Sequence, residues 1–145
     1  MQAQREQALP NFFTHVAAED WASVSGSFAA DAVWKIGPAS VAKELPNEGT
    51  LTSIETIVEH FKFLKSKLWK EYKGFEIHQV LHSGDSLALR ATLQAIAADG
   101  EPYSMDLTAF VDFEAGTSKV KRISEMVDSA YGQQQIERLL ASASA

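Results

Sequence analysis

The stretch YSMDLTAFVDFE, residues 103–114, decides the fold class. Tyr103, Met105, Leu107, Ala109, Val111 and Phe113 fall on one side of an extended chain, and Ser104, Asp106, Thr108 and Asp112 on the other. A period of two marks a strand with one buried and one wet face. Working backwards, ADGEP forms a turn around Asp99-Gly100, and SLALRATLQAIA repeats the alternation. There Leu87, Leu89, Ala91 and Leu93 share one face, against Arg90, Thr92 and Gln94. FEIHQVLH and the turn SGD come before it, and EAGTSK leads forwards into a last strand within KRISEMVDSAY, residues 121–131.

The N-terminal half has helical spacing instead. Leu9, Phe12, Phe13, Val16 and Ala17 form one apolar stripe, and Asp20 caps a second helix carrying Trp21, Val24 and Phe28. AVWKI, residues 32–36, reads as a brief strand, followed by a loop punctuated by Pro38, Pro46 and Gly49. Thr52 with Glu55 fits a capping box for a third helix. Its apolar face runs from Ile54 through Phe61 to Trp69 and Tyr72, with Gly74 as the stop. Helices first and a strand meander afterwards predict an α+β fold. The expectation is a single domain over residues 1–145, ordered from about 9 to 140 with frayed ends. Its cone-shaped, curved antiparallel sheet would be covered by the three N-terminal helices.

Composition narrows the function classes. The hydrophobic share of 46% with 22% charged residues is that of a globular protein, and no apolar run is long enough to span a membrane. A net charge of −6 without a basic stripe argues against nucleic acid. The absence of cysteine removes thiolate metal sites and cysteine nucleophiles, and fits a cytoplasmic protein. No spacing of histidines and acids suits a metal, and no phosphate loop or nucleophile elbow occurs, so neither metal nor cofactor is expected.

The opening AAEDWASVSGSFAADAVW and the closing VDFEAGTSKVKRISEMVDSAY resemble the SnoaL-like branch of the nuclear transport factor two-like superfamily. GPASVAKELPNEGTLTSIETIVEHF and GEPYSMDLTAFVDF are similar to small fungal members of that branch. The likeness spans nearly the whole chain. The superfamily hosts isomerases, cyclases, dehydratases and non-catalytic binding domains, so function must be argued from the site. Where its ketosteroid isomerases hold an Asp, a Tyr and a second Asp, the resemblance places Ile36, Phe12 and Ala109, none of which moves a proton. Where SnoaL-like polyketide cyclases hold an acid and a histidine, it places Glu125 and Ala109. One half of that pair is kept and the other is broken.

Glu125 is the leading catalytic candidate. If Ile123, Glu125 and Val127 face inward, a carboxylate sits among apolar groups, where desolvation raises its pKa into the working range of an acid-base catalyst. If Val120 and Met126 mark the buried face instead, Glu125 is solvated. Asp128 is a second catalytic candidate at the strand's end, where it binds a ligand, caps the terminal helix or is simply exposed. His60 flanks the apolar face of its helix and is a candidate partner. Trp34, Tyr103, Phe12, Ile36, Ala109 and Ser40 are candidate substrate-binding residues. Taken with the resemblance, these residues imply a cofactor-free isomerase, cyclase or dehydratase acting on an apolar, oxygenated small molecule such as a polyketide or terpenoid intermediate. The alternative is a non-catalytic ligand-binding or dimerisation domain. The superfamily resemblance also implies a homodimer through the outer sheet face, where Arg90, Thr92, Gln94 and Ile96 lie.

Overall fold

The computed structural model describes residues 1–144. Helices α1 (Gln2–Glu6), α2 (Ala8–Ala17) and α3 (Trp21–Gly26) open the chain and lead into β1 (Phe28–Gly37). A short α4 (Ala39–Ala42), a 3-10 turn (Pro46–Gly49) and β2 (Thr50–Leu51) follow. Then come α5 (Ile54–Lys67), β3 (Trp69–Ser83), β4 (Ser86–Ala97), β5 (Pro102–Phe113), β6 (Val120–Val127) and α6 (Ser129–Ser144). The expected fraying of the tail falls partly on Ala145, outside the described residues. No helix among the described residues is long and apolar enough to cross a membrane.

The meander β3–β4–β5–β6 is antiparallel throughout, in the register that the alternation dictates: Leu89 pairs with Ala109, and Ala109 with Glu125. Every apolar residue named on the inner faces of β4 and β5 is buried. The sheet as a whole departs from the expected cone of antiparallel strands. It is mixed and open, in the order β2-β1-β6-β5-β4-β3, and is neither closed nor strongly curled. β1 runs parallel to β6, with Trp34 beside Ile123 and Ile36 beside Glu125. The physical reason is connectivity. Tight turns impose antiparallel neighbours, whereas β1 reaches β6 only through a long crossover that leaves direction free.

The helical cover also differs from three N-terminal helices. α2 packs on β3, α5 on β1 and β3, and the C-terminal α6 on β5 and α4. α5 starts one residue later than expected. The Ser53 hydroxyl accepts from the Thr56 backbone N–H at 3.1 Å, and the Thr56 hydroxyl accepts from that of Ser53 at 3.1 Å. The helix ends at Lys67, so Trp69 and Tyr72 belong to β3, and Gly74 is a strand residue beside a bulge. Arg5, 6% exposed, donates to Asp85 Oδ1 at 2.9 Å and the Thr117 carbonyl at 2.9 Å, and lies over the Phe113 ring.

Between α2, α5 and β1 sits an aromatic cluster centred on Phe12. Its ring lies 4.8 Å from Phe61, 5.2 Å from Trp34 and 5.5 Å from Phe28, centroid to centroid. Edge-on and tilted contacts of this kind add to area burial. Phe12→Ala leaves a cavity at that junction and is expected to lower stability by about 3–5 kcal/mol in urea unfolding. A loss below about 1 kcal/mol would show that the cluster does not depend on this ring.

Candidate functional site

A cavity of about 60 Å³ lies between the inner sheet face, α4, α5 and α6. Its wall is mostly apolar, with Phe13, Ile36, Leu64, Leu93, Leu107 and Ile136 among the lining residues. Four side chains able to hydrogen-bond join them: Glu125 from β6, Tyr103 from β5, His60 from α5 and Trp69 from β3. No lysine or arginine among the described residues lines it.

Glu125 is placed by the sheet. Its strand neighbours in register are Ile36 on β1 and Ala109 on β5, and alternation along β6 turns Ile123, Glu125 and Val127 to the inner side. The outward set, Arg122, Ser124 and Met126, is exposed. Glu125 is half-buried by surface area, and what remains accessible belongs to the cavity wall. Burial pushes its carboxyl up from an ordinary value of 4.5 to about 7. Near neutrality the group therefore exists in both forms and can give or take a proton.

The other three polar groups are neutral. Burial raises the Tyr103 hydroxyl above its ordinary value of 10.0, and the charge of Glu125 adds to the shift. The Trp69 ring stands 6.3 Å from that of Tyr103, with its N–H leaning toward the tyrosine hydroxyl without completing a hydrogen bond. His60 is 1% exposed, and neither ring nitrogen has a partner among the described residues. Burial pushes its imidazole down from 6.5 to about 4.

The residues singled out in the sequence divide accordingly. Glu125, His60, Tyr103 and Ile36 line the cavity together. Trp34 and Phe12 lie in the aromatic cluster, and Ala109 sits beside Glu125, buried but off the lining. Ser40 is exposed on α4. Asp128 is exposed and caps α6, its carboxylate accepting from the Tyr131 N–H at 3.1 Å. Sequence reasoning missed Trp69 as a wall residue by assigning it to α5. The signal was present, since Lys65 and Lys67 close the helix and a strand begins after Leu68. Ile136 was missed because α6 was not expected to reach the sheet.

The sequence matches the SnoaL-like domain family over residues 10–123, and the chain belongs to that family. Among curated proteins, none matches the sequence. Solved structures share the fold. A nuclear transport factor two-like protein of unknown function from Burkholderia pseudomallei is 15% identical, with a TM-score of 0.72 over 92% of this chain and 97% of that one. A proposed isomerase from Bacillus subtilis is 13% identical, with a TM-score of 0.74 over 93% and 94%. TerC, co-crystallised with polyporic acid, is 16% identical, with a TM-score of 0.73 over 92% and 98%.

The two shifted groups leave a stability signature. Glu125 has a raised folded pKa, so its contribution is intact below about 4.5, falls as pH rises toward 7, and is constant above that. His60 has a depressed one, so its contribution is present above 6.5 and is lost as pH falls toward 4. In wild type the two slopes nearly cancel across the shared window. Glu125→Gln removes one of them. The variant is expected to gain stability over wild type steadily from pH 4.5 to 7, by up to roughly 3 kcal/mol at 1.36 kcal/mol per pKa unit, then level off. Urea unfolding at pH 4.5, 6 and 8 measures this, and a pH-independent difference would show a Glu125 that titrates as it does in water.

Proposed function

We propose that the chain is a cofactor-free enzyme acting on an uncharged, largely apolar, oxygenated small molecule, such as a polyketide or terpenoid intermediate. Glu125 transfers a proton in an isomerisation, cyclisation or dehydration. The observation that carries this reading is a carboxyl with a pKa near 7 facing an apolar cavity. As carboxylate, Glu125 takes a proton from a carbon next to a carbonyl. As carboxylic acid, it returns that proton to another carbon, or to a departing hydroxyl that leaves as water. The apolar walls hold the reacting atoms against it and keep bulk water from competing. Family membership supports the reading, as do a fold neighbour proposed as an isomerase and another co-crystallised with polyporic acid.

One observation favours a second reading, that of a binding or dimerisation domain without catalysis. At about 60 Å³ the cavity is small beside ordinary ligand pockets, so its own side chains largely fill it. A binder needs no proton transfer, and Glu125→Gln separates the two readings. When substrates are screened from uncharged polyketide and terpenoid intermediates, an enzyme is expected to lose about 10²–10⁴ in kcat with Glu125→Gln, keeping ligand affinity within a few-fold. Turnover that survives Glu125→Gln would remove Glu125 from the chemistry.

We further propose a homodimer through the outer sheet face. Arg90 and Gln94 are exposed there, and Leu81 and Phe110 form an apolar patch, 63% and 61% exposed. Thr92 is held flat on the sheet between His78 and Asp106. Arg90→Glu is expected to shift the sedimentation profile at micromolar protein toward monomer, and an unchanged profile would count against this surface.

A further inference from the structure

His60 is the anomaly of the cavity wall. It is 1% exposed, flanked edge-on by Phe61 at 5.0 Å, and neither ring nitrogen meets a partner among the described residues. An unpaired polar group at such a position costs about 1–3 kcal/mol, which an apolar residue of similar size would avoid. On α5 that residue would fit the sequence pattern without change, because Ile57 and Phe61 on the same helix are buried. A polar group kept at a stability cost in the wall of a cavity is suited to a ligand. Trp69, whose N–H leans toward the Tyr103 hydroxyl without completing a hydrogen bond, stands in the same wall.

We infer that His60 is a substrate-binding residue, a second polar pole of the cavity that holds an uncharged hydroxyl or carbonyl oxygen of the ligand and selects against anions. The inference rests on reading this cavity as the ligand site. The neutral imidazole offers one donor and one acceptor, so it serves a hydroxyl in either sense and a carbonyl through its N–H. Its depressed pKa keeps it from becoming a counter-charge at neutral pH. With no lysine or arginine on the wall, a carboxylate or phosphate would be desolvated without compensation and repelled by ionised Glu125. The site therefore takes the neutral form of an oxygenated molecule and leaves its acid form in water.

Three probes of similar size test this without turnover: phenol, benzoate and toluene, titrated into ¹⁵N-labelled protein. The readouts are the Trp69 indole N–H and the long-range imidazole signals of His60. Phenol is expected to bind at least about tenfold tighter than benzoate, a difference of about 1.4 kcal/mol, and to move the His60 signals where toluene does not. His60→Leu is expected to abolish the preference for phenol over toluene while raising the melting temperature, and His60→Gln, which keeps a donor and an acceptor, to restore the preference. Equal binding of phenol and benzoate, His60 signals that ignore phenol, an unchanged preference in His60→Leu, or no binding of any probe would each overturn the inference. Because wild type alone gives the first two of these results, the test does not depend on the variants folding. An unchanged phenol preference in His60→Leu beside an inactive Glu125→Gln would sink the role of His60 and leave proton transfer at Glu125 standing. The opposite pair of results would do the reverse.

Discussion

The register of β6 between β1 and β5 is the constraint on which the rest of the site depends. Ile36 and Ala109 flank Glu125 on the two neighbouring strands, so all three share the inner face. A slip of one residue would turn Ile123 out and bring Arg122, Ser124 and Met126 in. Ile123, 1% exposed, fixes the register by burial, and Glu125 follows it inward at the expense of its own hydration, while Val120 is buried as well because the pairing shifts by one residue before Arg122. The placement of the acid is thus imposed by apolar neighbours, with its raised pKa as the consequence.

The cavity answers the burial of ionisable groups by staying neutral. Between about pH 4.5 and 6.5, Glu125 keeps its proton and His60 is without one. The unfolded chain over the same range carries one negative and one positive charge at these positions, so folding there exchanges no net proton. Near pH 7 the first charge to appear is that of Glu125. Burial alone, acting in opposite directions on an acid and a base, produces this without an ion pair.

Much of the fold was legible because β4 and β5 alternate cleanly and are joined by tight turns. The difficulty lay in elements whose periodicity is broken or whose partners are remote. β3 carries bulges between Trp69 and Glu71 and between Tyr72 and Gly74. Each bulge inserts a residue, so the inward side chains Trp69, Tyr72 and Phe75 stand three apart and imitate a helix. That imitation lengthened α5 on paper and hid Trp69 from the cavity wall. The parallel pairing of β1 with β6 has no local signal, since no turn joins the two strands. For the site, alternation and resemblance together put Glu125, Ile36 and Tyr103 on the inner face. Which inner residues reach open space, rather than packed core, depends on how the helices settle, and Trp34, Phe12 and Ala109 fell on the packed side.

The same packing gives those core residues a part in the geometry. The polar groups of the cavity come from two layers, Glu125, Tyr103 and Trp69 from the sheet and His60 from a helix lying on it. Their separation is therefore set by the height and rotation of α5 over the sheet. Phe61, the residue after His60, locks that position by seating its ring 4.8 Å from Phe12 and 4.9 Å from Trp34, which stands on β1 two residues before Ile36. An aromatic cluster rigid at this scale holds a helix-borne group against a strand-borne one more firmly than a loop would. With alanine at position 109 on the strand beside Glu125, the sheet itself offers that acid no partner there. His60 stands in the helix layer, and the core beneath it keeps that layer in register with the sheet.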